Sequence, residues 1–132
     1  GGIMEKYPRI KFVFLEIGAA WLPYWMWRMD GHYTTSSHRL NNLPKAPSEY
    51  VKNERSFVSC EPDEEGLAQT ARVLGEQRII FASDYPHGDC DFPNSVIKLR
   101  RRKDISESLK EKILSKNPAR LYGINYAMAG PN

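Results

Sequence analysis

Three short apolar runs interrupt an otherwise polar chain: Lys11-Phe12-Val13-Phe14-Leu15, Ser56-Phe57-Val58-Ser59-Cys60 and Ile79-Ile80-Phe81-Ala82. The first and third are nearly continuous and rich in branched or aromatic side chains, the pattern of strands covered on both faces of a sheet. Elsewhere the spacing turns helical. Residues Ala19 to Tyr33 carry a dense aromatic stripe, Trp21, Tyr24, Trp25 and Trp27. Residues Asp63 to Gly75 open on acids that suit a helix N-terminus and close on a glycine that suits its end. Ser106 to Lys116 places Leu109, Ile113 and Leu114 on one face. The run Asn117-Pro118-Ala119-Arg120-Leu121-Tyr122-Gly123 reads as a last short helix, capped by asparagine, begun by proline and stopped by glycine. Residues 33–54 are polar and contain proline, so they read as a surface excursion rather than a linker. Residues 125–132 read as a flexible tail. There is no internal repeat.

Strands that alternate with helices predict an α/β fold with parallel strands, either an open doubly wound sheet or part of a barrel. The length of 132 residues suits one domain, read here as 1–132. A hydrophobic fraction of 41% and an aromatic fraction of 11% mark a packed protein and exclude a disordered one. The net charge of +3 is concentrated in Lys98-Leu99-Arg100-Arg101-Arg102-Lys103. No aromatic residue interleaves that run, so it reads as a solvated helix face, and nucleic acid is not expected as a partner. Two distant cysteines, Cys60 and Cys90, fit free thiols and a reducing, cytoplasmic compartment. The apolar segment Phe12 to Trp27 is broken by Glu16 and Pro23 and falls short of the ~20 residues of a spanning helix. A buried strand followed by a buried helix explains it, and no membrane partner is expected. The opening Gly1-Gly2-Ile3-Met4 reads as a chain from which an upstream part has been cut.

Candidate chemistry gathers at the strand ends. Each apolar run is followed by an acid, Glu16, Glu61 and Asp84, and each acid meets Gly18, Pro62 or Pro86 within two residues. In parallel α/β folds the C-terminal ends of the strands form the rim where ligands collect. Three carboxylates there suit a divalent cation or acid–base work. The blander reading is that Glu16 accepts bonds from its own turn and Glu61 is a first-turn helix acid. Asp84 resists that reading, because an unpaired carboxylate after a buried strand is expensive. His87 follows Asp84 by three residues across a proline turn, either facing the same cavity or bonding local backbone. His32 and His38 have no acid or cysteine at ligand spacing and read as surface residues.

Four blocks, in order along nearly the whole chain, resemble the amidohydrolase-related proteins, the decarboxylase-like branch of the amidohydrolase superfamily. They are Tyr7-Pro8-Arg9-Ile10-Lys11-Phe12-Val13-Phe14-Leu15-Glu16 with Trp21-Leu22-Pro23, Pro47-Ser48-Glu49-Tyr50, Phe81-Ala82-Ser83-Asp84-Tyr85-Pro86-His87, and Asn117 to Gly123. The resemblance implies a TIM-type (β/α)8 barrel with one or two metal ions, often zinc. It implies hydrolysis of small molecules or removal of carboxylate from aromatic acids. Asp84 matches the family's aspartate at the end of the last strand, which holds the metal and positions or deprotonates the attacking water. Glu16, Glu61 and His87 are then candidates for orienting a small-molecule substrate at the pocket mouth. The family's H-x-H pair and further histidine have no match here, and a barrel needs about 250 residues. The chain is therefore expected to be the C-terminal part of a barrel, about three βα units, inactive by itself because the histidine ligands are missing. Unpaired sheet edges make a homo-oligomer an expected form. The rival expectation is a non-catalytic chain with a structural or oligomer-contact role.

Overall fold

The structure is a computed structural model that describes residues 2–36 and 43–125. In chain order it runs α1 (Ile3–Lys6), β1 (Phe12–Phe14), α2 (Leu22–Ser36), α3 (Pro47–Val51), β2 (Ser56–Cys60), α4 (Leu67–Leu74), a 3-10 turn (Glu76–Arg78) and β3 (Ile79–Phe81). There follow α5 (Ser95–Arg101), α6 (Glu107–Glu111), a π-helical turn (Lys112–Lys116) and α7 (Asn117–Tyr122). The three strands form one parallel sheet in the order β1-β2-β3, with Val13 opposite Phe57 and Ser59 opposite Ile80. All three apolar runs are strands, as expected from their composition, and helices fill the crossovers that parallel pairing requires.

The two faces of the sheet have separate cores because side chains alternate along each strand. Val58, Cys60 and Ile79 pack against Leu22 and Met26 of α2, Leu67, Ala71 and Leu74 of α4, and Leu99 and Ile113 from the C-terminal helices. On the other face Phe57 and Ile80 meet Leu121 of α7, with Val13 alongside. The central strand β2 is buried at every position.

Two expectations about burial fail at the sheet's edge. β1 is not covered on both faces: Phe14 is 41% exposed and Leu15 45% exposed. Nor is α2 a buried helix, since it buries Leu22 and Met26 while Tyr24, Trp25 and Trp27 face outward. The physical reason is position. β1 has β2 on one side and no strand on the other among the described residues, so its outer flank is covered only in part, Phe14 meeting the Trp21 ring edge-on at 6.1 Å.

Other boundaries move for local reasons. The helix expected from Asp63 begins at Leu67, after Gly66 turns left-handed (φ 79), and stops at Gly75 (φ 97) as its glycine predicts. The excursion over 33–54 includes the end of α2 and α3, which packs on α2 through Ser48 N–H donating to Asp30 Oδ1 at 2.9 Å. Residues 37–42 of that stretch, and all of the expected tail except Asn125, lie outside the described residues. Asn117 does not cap a new helix. It has helical dihedrals and continues the π-helical turn into α7, while its side chain serves a distant strand.

Candidate metal centre

The loops that leave the C-terminal ends of β1, β2 and β3 carry the three acids. Beside them lies an open cavity of about 610 Å3, lined by Glu16, Glu61 and Asp84 together with Asp63, Asp89 and Lys98, among others. The strand-end reading of the sequence is thus correct in its placement: all three acids face one cavity.

The structure draws the group tighter than spacing alone indicates, and unequally. A ligand atom of Glu16, one of Asp84 and one of His87 all lie within 4.8 Å of one another. Asp84 Oδ1 and His87 Nδ1 are 2.6 Å apart, and His87 N–H donates to the Asp84 carbonyl at 2.9 Å, so the Tyr85-Pro86 turn folds the histidine back over the aspartate. His87 stays 62% exposed while Asp84 is 22% exposed. The aspartate is therefore the sheltered member and the imidazole the outer one. Glu61 lines the cavity without joining this trio. Since α4 starts only at Leu67, Glu61 is no first-turn helix acid; it stands in the loop, half-buried.

Both acids of the trio have left-handed backbones, Glu16 at φ 62 and Asp84 at φ 54. That region is uncommon for residues with a side chain, and more so for glutamate than for aspartate. Glu16 is held there by its own N–H, which donates to Ser59 Oγ at 3.0 Å. Such backbone outliers concentrate where surrounding structure imposes a geometry for function.

The charges around the cavity are mostly negative. Lys98 Nζ lies 2.7 Å from Asp63 and 2.8 Å from Asp91, and its bond to Asp63 holds that carboxylate below its ordinary range. Glu61 is pushed upward, first by burial and then by the charges of Glu64, Asp84, Asp63 and Asp89. His87 is pushed upward by its hydrogen bond to Asp84 and by that carboxylate's charge. A concave site with uncompensated carboxylates and an imidazole favours a cation.

Part of this site was invisible in the sequence. The basic run over Lys98–Lys103 is not simply a solvated face. Lys98 bridges two acids, Leu99 is fully buried, and Arg102 donates to the carbonyls of Pro62 and Glu64. Only Arg100, Arg101 and Lys103 of the run are exposed. Glu64, Asp89 and Asp91 were also missed, since none follows a strand directly. His32 is exposed on α2, as expected, and His38 lies outside the described residues.

The amidohydrolase sequence profile matches residues 1–124. The 2-amino-3-carboxymuconate-6-semialdehyde decarboxylase of Dictyostelium discoideum is 26% identical over 128 residues, covering 95% of this chain and 34% of its own length. Among solved structures, the amidohydrolase map2389c of Mycobacterium avium subsp. paratuberculosis K-10 superposes with a TM-score of 0.77 at 27% identity, over 96% of this chain and 31% of that one. The 5-carboxyvanillate decarboxylase LigW2 of Novosphingobium aromaticivorans, solved with bound manganese, superposes with a TM-score of 0.75 at 25% identity, over 92% and 36% respectively. The chain thus spans about a third of each relative, and its three parallel βα units correspond to part of a TIM barrel.

Proposed function

Because the chain belongs to the amidohydrolase family, we propose that it carries the strand-end portion of a metal-dependent active site that removes carboxylate from a small aromatic acid. One observation carries this reading: Glu16, Asp84 and His87 bring three ligand atoms within 4.8 Å of one another beside the ends of β1 and β3. Two carboxylates and an imidazole are a donor set suited to a divalent ion such as manganese or zinc. Manganese in LigW2 supports the former, although zinc was the expectation from the resemblance. When bound, the ion supplies Lewis-acid polarisation and a positive anchor for an anionic substrate.

The chain's own residues divide the remaining work. Asp84 is the central ligand and proton acceptor, sheltered below the imidazole. Glu16 and His87, expected to orient substrate, are reassigned here to the ion, because their atoms stand at ligand distance from Asp84. Glu61 keeps its place facing substrate. Removal of CO2 leaves a carbon that must take up a proton, and a carboxyl pushed upward by burial and neighbouring acids holds one at higher pH. The names of the relatives favour decarboxylation over hydrolysis. By itself the chain is proposed to bind the ion weakly and not to turn over, since the family's histidine ligands have no match in it.

Manganese binding followed by electron paramagnetic resonance tests the reading. Wild-type chain is expected to bind Mn2+, and Asp84→Asn to weaken binding by about tenfold or more. Indistinguishable titrations of the two chains would sink it.

A further inference from the structure

Glu64 takes no part in the ligand trio, yet both of its carboxylate oxygens are engaged. Oε1 accepts from the backbone N–H of Ala19 at 2.6 Å and of Ala20 at 2.5 Å. Oε2 accepts from the N–H of Glu61 at 3.3 Å. One side chain after β2 therefore fastens the loop that follows β1, which holds Glu16, to the loop that holds Glu61. The approach is close: a Cβ placed on Gly18 would lie 2.8 Å from Glu64 Oε1, and Gly18 itself has φ +63. Glu64 is fixed in turn, because its carbonyl accepts from Arg102 Nη2 at 2.8 Å and the Pro62 carbonyl accepts from Nη1 at 3.2 Å.

Glu16 sits just ahead of this fastening. On one side its N–H is held by Ser59 Oγ, and on the other the chain is held at Ala19 and Ala20. A glutamate relaxes out of the left-handed region unless its flanks prevent it, because its Cβ crowds the following carbonyl there. Charge-assisted bonds to two successive N–H groups are strong enough to do so.

We propose that Glu64 is the positioning residue of the site: through the Gly18–Ala20 backbone it keeps Glu16 in the conformation that brings its carboxylate to Asp84 and His87. The proposal rests on the reading of Glu16 as a ligand. Glu64 acts through the loop and not on the ion, because its oxygens are already committed to N–H groups.

The test compares Mn2+ affinity of the 132-residue chain with that of Glu64→Gln, Glu65→Gln and Gly18→Ala. Glu64→Gln is expected to weaken binding about tenfold, the scale of lost supporting bonds around metal sites. Glu65→Gln removes the same charge from an exposed neighbour and is expected to leave affinity nearly unchanged. Gly18→Ala removes no charge but displaces the Glu64 carboxylate, and is expected to match Glu64→Gln. Equal losses in Glu64→Gln and Glu65→Gln would overturn the proposal in favour of simple charge. Amide hydrogen exchange gives a second readout without metal: Ala19 and Ala20 are expected to exchange about tenfold faster in Glu64→Gln and Gly18→Ala, and at the wild-type rate in Glu65→Gln. Unchanged exchange overturns the fastening itself. Faster exchange in a chain whose wild type binds no Mn2+ means that the ligand reading has failed, and with it any positioning role for Glu64.

Discussion

At the scale of single residues, Glu16 and Asp84 separate what serves the site from what serves the fold. A glutamate at φ 62 occupies a region that glycine adopts freely. Glu16→Gly is therefore expected to keep or slightly raise thermal stability while weakening Mn2+ binding about tenfold. A variant that loses stability and keeps the ion would contradict both halves of the argument. Cys60 offers a second test. Its thiol is fully buried and pushed up to about 12, first by burial and then by the charge of Glu64. In the unfolded chain a cysteine ionises near 8.5, so the folded state keeps a proton that the unfolded state has lost. Stability contributed by this thiol is intact below that unfolded value and falls as pH rises toward about 12, by at most roughly 1.4 kcal/mol per unit. Urea titrations are expected to show a shallower alkaline decline in Cys60→Ala than in wild type, and parallel declines would count against the buried-thiol account. The acids Glu16, Glu61 and Asp84 were legible because each follows an apolar run. Glu64 was not, because its partners Ala19 and Ala20 lie more than forty positions away and are backbone groups that leave no mark in a sequence.

At the scale of elements, the C-terminal helices show where local pattern stops being informative. Ser106 was read correctly as a helix start, and its Oγ accepts from Leu109 N–H at 3.1 Å. Ser106→Ala is expected to cost about 1 kcal/mol, the usual value of such a cap. Asn117 looks equally like a cap, since it precedes proline and a short helix. Instead α6, the π-helical turn and α7 run on through it, and Pro118 brings no N–H to close a standard α-helical bond there. The asparagine is 3% exposed, and its Nδ2 donates to the carbonyls of Glu76 at 2.7 Å and Ile79 at 2.6 Å. It ties the last helix to the entrance of β3, the strand that leads to Asp84. Asn117→Ala leaves two carbonyls without that donor and is expected to cost about 2–3 kcal/mol, clearly more than Ser106→Ala in the same denaturation series. Equal costs would mean that Asn117 contributes only as a cap. Three strands and the C-terminal end of α4 could be read from period and glycine; this bond could not, because it joins residues 38 positions apart.

For the whole molecule, composition announces a packed core but not where its apolar surface is covered. Among the described residues the chain buries β2 completely and leaves the flank of β1 largely open: Phe14, Leu15 and Ile17 stand exposed beside the outward-facing Tyr24, Trp25 and Trp27 of α2. An unpaired parallel edge next to exposed aromatic side chains templates further pairing and burial. The chain covers about a third of the length of its Dictyostelium discoideum relative, and its sheet, three strands among the described residues, has this flank where a barrel would continue. The isolated 132-residue chain is therefore expected to self-associate through β1 and α2, with the Asp84 rim left free because it lies at the strand ends and not on the flank. Sedimentation velocity over two decades of concentration should show mass rising with concentration. The double variant Trp25→Glu/Trp27→Glu should shift it to the monomer with unchanged far-ultraviolet dichroism and unchanged Mn2+ affinity. A wild-type chain that sediments as one monomeric species throughout would remove the flank as an interaction surface, while loss of Mn2+ binding in the double variant would tie the flank to the site and contradict their separation.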